Sequence, residues 1–109
     1  MPFGLTHTNY QRIKDIFSLY PNVEEVIIFG SRSLNTCHAG SDIDLALKGI
    51  DISLDDILSI NSALEELPLA YKYDIIYYHK IKTPELIKHI DKHGLLFYKK
   101  EKEKEKLYR

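Results

Sequence analysis

Asp42 and Asp44, separated by one residue, follow the pair Gly30-Ser31 after ten intervening positions. If the acids lie on a strand, alternate side chains share a face, so the two carboxylates point together while Ile43 and Leu45 point into a core. At a separation of about 5 Å and an effective dielectric of about 20, two such charges repel by roughly 3 kcal/mol. A cation is the natural compensation. Oxygen donors with no Cys or His among them favour Mg2+, or Mn2+ in its place, over zinc. Asp74, within the otherwise β-favouring run Tyr71 to Tyr78, is the third candidate: a buried acid needs a partner, and a metal supplies one. Three acids around two Mg2+ ions, beside a small-residue turn open to a phosphate, describe phosphoryl or nucleotidyl transfer. Gly30 would let the backbone come close and Ser31 would bind a triphosphate oxygen. Asp42 and Asp44 would hold the metals, and Asp74 would hold the second ion and take the proton from the attacking hydroxyl.

For this chemistry to meet at one place, the strand that ends before Gly30 and the strand that Asp42 and Asp44 open must run antiparallel. The elements allow it. Ile13, Ile16, Phe17 and Tyr20 recur at helical steps and predict a helix over Thr8 to Leu19, stopped by Pro21-Asn22. Val23 to Phe29 reads as a buried strand ended by Gly30. Ser31 to Gly40 is a turn or short helix plus loop in which Asn35 tolerates left-handed angles. Ile43 to Leu47 is the second strand. Ser53 and Asp56 resemble a capping box that opens a helix to about Leu67, with Leu54, Ile57, Leu58 and Leu64 as its apolar face. Tyr71 to Tyr78 is the third strand. Thr83-Pro84-Glu85 starts a helix that runs to about His93 with Leu86, Ile87 and Ile90 inward and Gly94 as its cap. Leu95 to Tyr98 is a last short strand or arm.

The chain of 109 residues, 44% hydrophobic and 28% charged, is expected to form one small globular domain, too short for a second substrate-binding domain. No apolar run of about 18 residues suggests a membrane span, and no signal peptide is apparent. The single cysteine, Cys37, precludes an internal disulfide and fits a cytoplasmic location. A net charge of −1 gives no bulk attraction to nucleic acid, so direct nucleic-acid binding is not expected.

Phe-Gly-Ser-Arg-Ser at 29–33, Ser-Asp-Ile-Asp-Leu at 41–45 and Tyr-Asp-Ile-Ile at 73–76 resemble the minimal nucleotidyltransferases (MNT proteins) of the DNA polymerase β superfamily, encoded beside HEPN-domain partners. The resemblance runs from about Thr8 to Tyr98. It implies an α+β (α/β) nucleotidyltransferase fold, a small mixed sheet with helices packed on it, expected over residues 1–98; the low-complexity charged run at 99–109 is expected to be a flexible tail. It implies Asp42, Asp44 and Asp74 as catalytic and metal-binding residues, Gly30, Ser31 and Arg32 as nucleotide-binding, and two Mg2+ ions with ATP as substrate. It further implies a protein adenylyltransferase that transfers AMP to a tyrosine of a HEPN ribonuclease toxin, as the antitoxin of a type VII toxin–antitoxin pair. A homo- or hetero-oligomer is compatible with that role. Many members carry Arg-Gly and a further Arg where this chain has Leu34-Asn35 and His38, so its loop is less basic. That difference motivates the alternative, a non-catalytic module that neutralises a HEPN partner by occlusion.

Other residues have plainer readings. His89 and His93, four apart on a helix, suit the negative end of the helix dipole and solvent. His38 is a candidate phosphate contact, Cys37 an incidental loop thiol, and Tyr77 and Tyr78 candidates for a partner surface.

Overall fold

The computed structural model describes residues 2–101. Among them, a four-stranded mixed sheet in the order β3-β2-β1-β4 is built from β1 (Val23–Phe29), β2 (Ile43–Gly49), β3 (Tyr73–Tyr77) and β4 (Leu95–Lys99). β1 pairs antiparallel with both β2 and β4, whereas β2 and β3 run parallel. The parallel pair needs a crossover, which α2 (Leu54–Glu65) supplies. α1 (His7–Phe17) precedes the sheet and α3 (Pro84–His93) joins β3 to β4.

The strand alternation divides the apolar residues between two faces. Val26, Ile28, Ile43, Leu45, Leu47 and Ile75 join Ile13 and Phe17 of α1 and Ile60 and Leu64 of α2 in the larger core. Ile27, Phe29, Ala46 and Ile76 lie on the opposite face, where Leu86 and Ile90 of α3 cover them. Asp44 and Asp74 alternate with the first set, so they belong to the α3 side. Leu5, fully buried, and Phe3, packed against Tyr10 and Phe97, bring the N-terminal segment into the main core as well.

Local signals act as the sequence suggests. α1 begins at His7, one residue before the expected Thr8, because Thr6 caps it by accepting the Asn9 amide at 3.1 Å. Ser53 and Asp56 exchange both capping-box hydrogen bonds at 3.0 Å. Asn35 adopts a φ of 61°. Other expectations shift, among them the end of α2, which stops at Glu65 rather than Leu67, and Ile87, which joins neither core. α1 ends at Phe17, short of Leu19, whose side chain is exposed, and the chain leaves through hydrogen-bonded turns over Ser18 to Tyr20. β3 begins at Tyr73, because its first partner is Ile43 and nothing in β2 lies opposite Tyr71; Tyr78 already belongs to a following 3-10 turn. The inward face of α2 is Ile57, Ile60 and Leu64, while Leu54 and Leu58 are 70% and 54% exposed. The helix is apolar on more than one side, and its sequence alone does not fix which side the sheet selects.

β4 extends through Lys99, paired with Glu25, and the Lys100 amide donates to the Glu24 carbonyl at 2.8 Å. The rest of the charged tail, from 102 onward, lies outside the described residues. No helix among the described residues is long and apolar enough to cross a membrane.

The two faces of α2 separate in stability. Leu64→Ala is expected to cost about 2–5 kcal/mol, and Leu58→Ala to stay within about 0.5 kcal/mol of the parent, both read from urea unfolding midpoints.

Candidate active site

The register of the sheet assembles the site. Phe29, the last residue of β1, pairs with Asp44, so the next residue, Gly30, lies beside the aspartate. Across the parallel pair, Asp44 is the direct partner of Asp74. Gly30 opens a 3-10 turn, Gly30–Arg32, with a φ of 76°, a backbone region that glycine occupies without strain. A methyl group on Gly30 would sit 2.4 Å from the Asp44 carboxylate. No other residue fits there while the acid keeps its place. Asp42 stands one residue before β2 and is exposed.

The three acids share one electrostatic field. The Asp44 carboxyl is held above its ordinary range first by partial burial, then by the charges of Asp74 and Asp42, with His89 and Arg32 acting against the rise. This is the expected response of a carboxylate that is partly buried and then crowded by like charges. Asp74 itself is exposed and sits second in β3. Burial therefore does not explain its presence, contrary to the sequence argument; its alignment with Asp44 does. All three groups are hard oxygen donors, a set that suits Mg2+ or Mn2+. Among the described residues, no three Asp, Glu, His or Cys side chains are gathered tightly enough to enclose an ion. Asp42 and Asp74 face solvent, and Asp44 is half-buried between them and the turn.

Around the acids lies a supporting shell that the sequence did not display. Arg32 is 3% exposed; its guanidinium donates to the Phe3 and Ser41 carbonyls, each at 2.9 Å, and lies 5.3 Å from the centre of the Tyr71 ring. It thus ties the N-terminal segment to the residue just before Asp42. Ser41 is fixed again from the loop side, where its hydroxyl accepts the His38 amide at 2.9 Å and its own amide donates to the His38 carbonyl. The His38 ring accepts the Gly40 amide at 3.2 Å, so it serves the loop's own turn. Ser31 is half-buried, and its carbonyl accepts the Thr36 amide at 2.9 Å. Cys37 is half-buried, with Sγ 3.8 Å from the Phe3 carbonyl.

His89 is the residue that sequence reasoning missed. It is half-buried rather than solvent-facing, and its Nε2 accepts the Gly30 amide at 3.0 Å, with the ring edge-on to Phe29. The available signal was its position one residue before the inward-facing Ile90. Nothing in the sequence says which strand end α3 overlies.

The sequence matches the family described as Polymerase beta, Nucleotidyltransferase over residues 11–103. No curated protein matches it. Among solved structures, the fold is similar to a chain of a toxin–antitoxin complex with AMP-PNP, at a TM-score of 0.70 and 22% identity, covering 85% of this chain and 75% of that one. It is also similar to a chain of a complex between a tri-AMPylated Shewanella oneidensis HEPN toxin and an MNT antitoxin, at 0.66 and 18%, covering 88% and 74%. A candidate nucleotidyltransferase from Sulfolobus solfataricus matches at 0.53 and 26%, covering 85% and 78%. The family match spans most of the chain and contains the Gly-Ser turn and all three aspartates, and the observed sheet brings those residues to one end: the chain belongs to the polymerase β nucleotidyltransferase family.

Proposed function

We infer that this chain is a cytoplasmic adenylyltransferase antitoxin that transfers AMP from ATP to a tyrosine of a partner HEPN ribonuclease. The observation that carries the reading is the convergence of Gly30 with Asp44 and Asp74 at one sheet end, in a chain of this family. The similar fold in the complex of an AMPylated HEPN toxin with an MNT antitoxin supports the choice of acceptor.

In this reading Asp42, Asp44 and Asp74 hold two Mg2+ ions, which when bound supply positive charge against the triphosphate and the developing transition-state charge. The Ser31 hydroxyl and the backbone after Gly30 orient the phosphates. Asp74 accepts the proton of the acceptor hydroxyl as its oxygen bonds to the α-phosphorus and the bond to pyrophosphate breaks. Arg32 acts on the loop rather than on phosphate, because its guanidinium is bonded to the Phe3 and Ser41 carbonyls. Asp42 and Asp74 are exposed, which suits an acceptor presented by another protein.

Occlusion without catalysis is favoured by one observation: Arg32 is buried on backbone carbonyls, and the loop beyond it carries Leu34, Asn35 and His38. Incubation with labelled ATP, Mg2+ and the HEPN partner separates the two. The expected result is label on a partner tyrosine, abolished in Asp42→Asn/Asp44→Asn; binding and ribonuclease inhibition that survive in the double variant, with no label in the parent, would establish occlusion instead.

Asp44 also makes stability depend on pH. Its folded-state pKa lies above the ordinary 3.8, so the native state holds the proton more tightly than the unfolded chain does. Stability is therefore lost as pH rises from 3.8 through the folded value, and the loss is complete above it. Asp44→Asn should melt at a higher temperature than the parent at neutral pH, the gap closing as pH falls toward 3.8. Mg2+ should raise the melting temperature of the parent more than that of the variant, since only the parent keeps the full set of ligands.

A further inference from the structure

Gly30 is held from two sides. The Asp44 carboxylate fills the space where a side chain would begin, and the His89 imidazole accepts the Gly30 amide at 3.0 Å. His89 reaches this point from α3, an element that contributes no acid to the site, and its ring is held by edge-on contact with Phe29 at 6.1 Å and by a tilted contact with His93 at 5.5 Å. The amide that a Gly-Ser turn would be expected to offer to a phosphate thus already has a partner within the protein.

We propose that His89 is a positioning residue of the nucleotide site: by accepting the Gly30 amide it locks the left-handed turn against Asp44 and passes phosphate contact on to Ser31. Two features make the role specific. The bond reaches the one residue whose conformation places the turn beside the acid, since Gly30 directly follows the Phe29–Asp44 pair. The bond also ties α3 to the end of β1 at a polar position, beside the apolar contacts of Phe29 and Ile90. Loss of the acceptor would leave a half-buried amide without a partner and release the turn to other conformations.

This inference rests on the nucleotidyl-transfer reading, and its test separates the two. His89→Phe keeps a ring against Phe29 but removes the acceptor; His89→Gln carries an amide oxygen that can reach the place of Nε2. Two quantities are measured on the full chain: hydrogen exchange of the Gly30 amide by 15N NMR, and Mg2+-dependent ATP affinity by titration calorimetry. The Phe variant is expected to exchange faster at Gly30 and to bind ATP roughly five- to tenfold more weakly, with the Gln variant within about twofold of the wild type in both. Melting temperatures should not follow that order, because Phe preserves the packing better than Gln. A Phe variant with unchanged exchange and affinity would overturn the proposal. So would equal weakening in both variants, or weakening in proportion to lost stability, since either marks a purely structural role. A wild type that binds no ATP would overturn the nucleotidyl-transfer reading together with this role, and exchange at Gly30 would then report a structural clamp alone.

Discussion

The constraint on which the site depends is the pairing of Phe29 with Asp44 across two antiparallel strands. It places the turn that follows β1 against the acid of β2, at a distance no side chain on residue 30 could tolerate. A slip of one residue in this register would carry Asp44 into the larger core and bring Leu45 out of it. The packing of Ile43, Leu45 and Leu47, all fully buried, sets the energetic barrier to that slip. The core therefore specifies the site: the same alternation that buries three aliphatic residues aims the acid at the turn.

A second strand pairing completes the set. β2 and β3 run parallel and in register at Asp44 and Asp74, which concentrates negative charge where the sheet could have kept it apart. Burial first, and then the charges of Asp74 and Asp42, hold the Asp44 carboxyl above its ordinary range. Proteins retain such strained local electrostatics where function requires them. Here the surrounding shell supports the arrangement mechanically, with Arg32 fastening Ser41 and His89 fastening Gly30.

Much of this was legible in the sequence because short-range patterns carried it. The run Val23 to Phe29 gave its strand with the observed boundaries, Ser53 and Asp56 gave their capping box, and the spacing of Gly30-Ser31 and Asp42-x-Asp44 implied antiparallel neighbours. The illegible parts are those decided by distant partners. The inward side of α2 depends on the sheet beneath it, since Leu54 and Leu58 are as apolar as the residues that are buried. Asp74 looked like a buried acid because its neighbours are apolar, but an edge strand leaves it open to water. The family resemblance implies a nucleotide contact for Arg32, whereas its burial depends on Phe3, 29 positions away. His89 lies 59 positions from Gly30, beyond the reach of any periodicity.

β3 is short, spans Tyr73–Tyr77, and among the described residues is bonded to the sheet on one side only. Edge elements of this kind open locally at free energies well below that of global unfolding. Asp74 lies one residue from the end of that strand, whereas Asp44 sits on an interior strand between two neighbours. The three acids thus belong to parts of the molecule with different opening energies. Fraying of a few hydrogen bonds at Ile43 and Tyr73 would detach one acid and leave the core whole. The geometry of the site is consequently governed by the local stability of an edge, and anything that braces β3, a docked protein included, would hold the third acid in place without touching it.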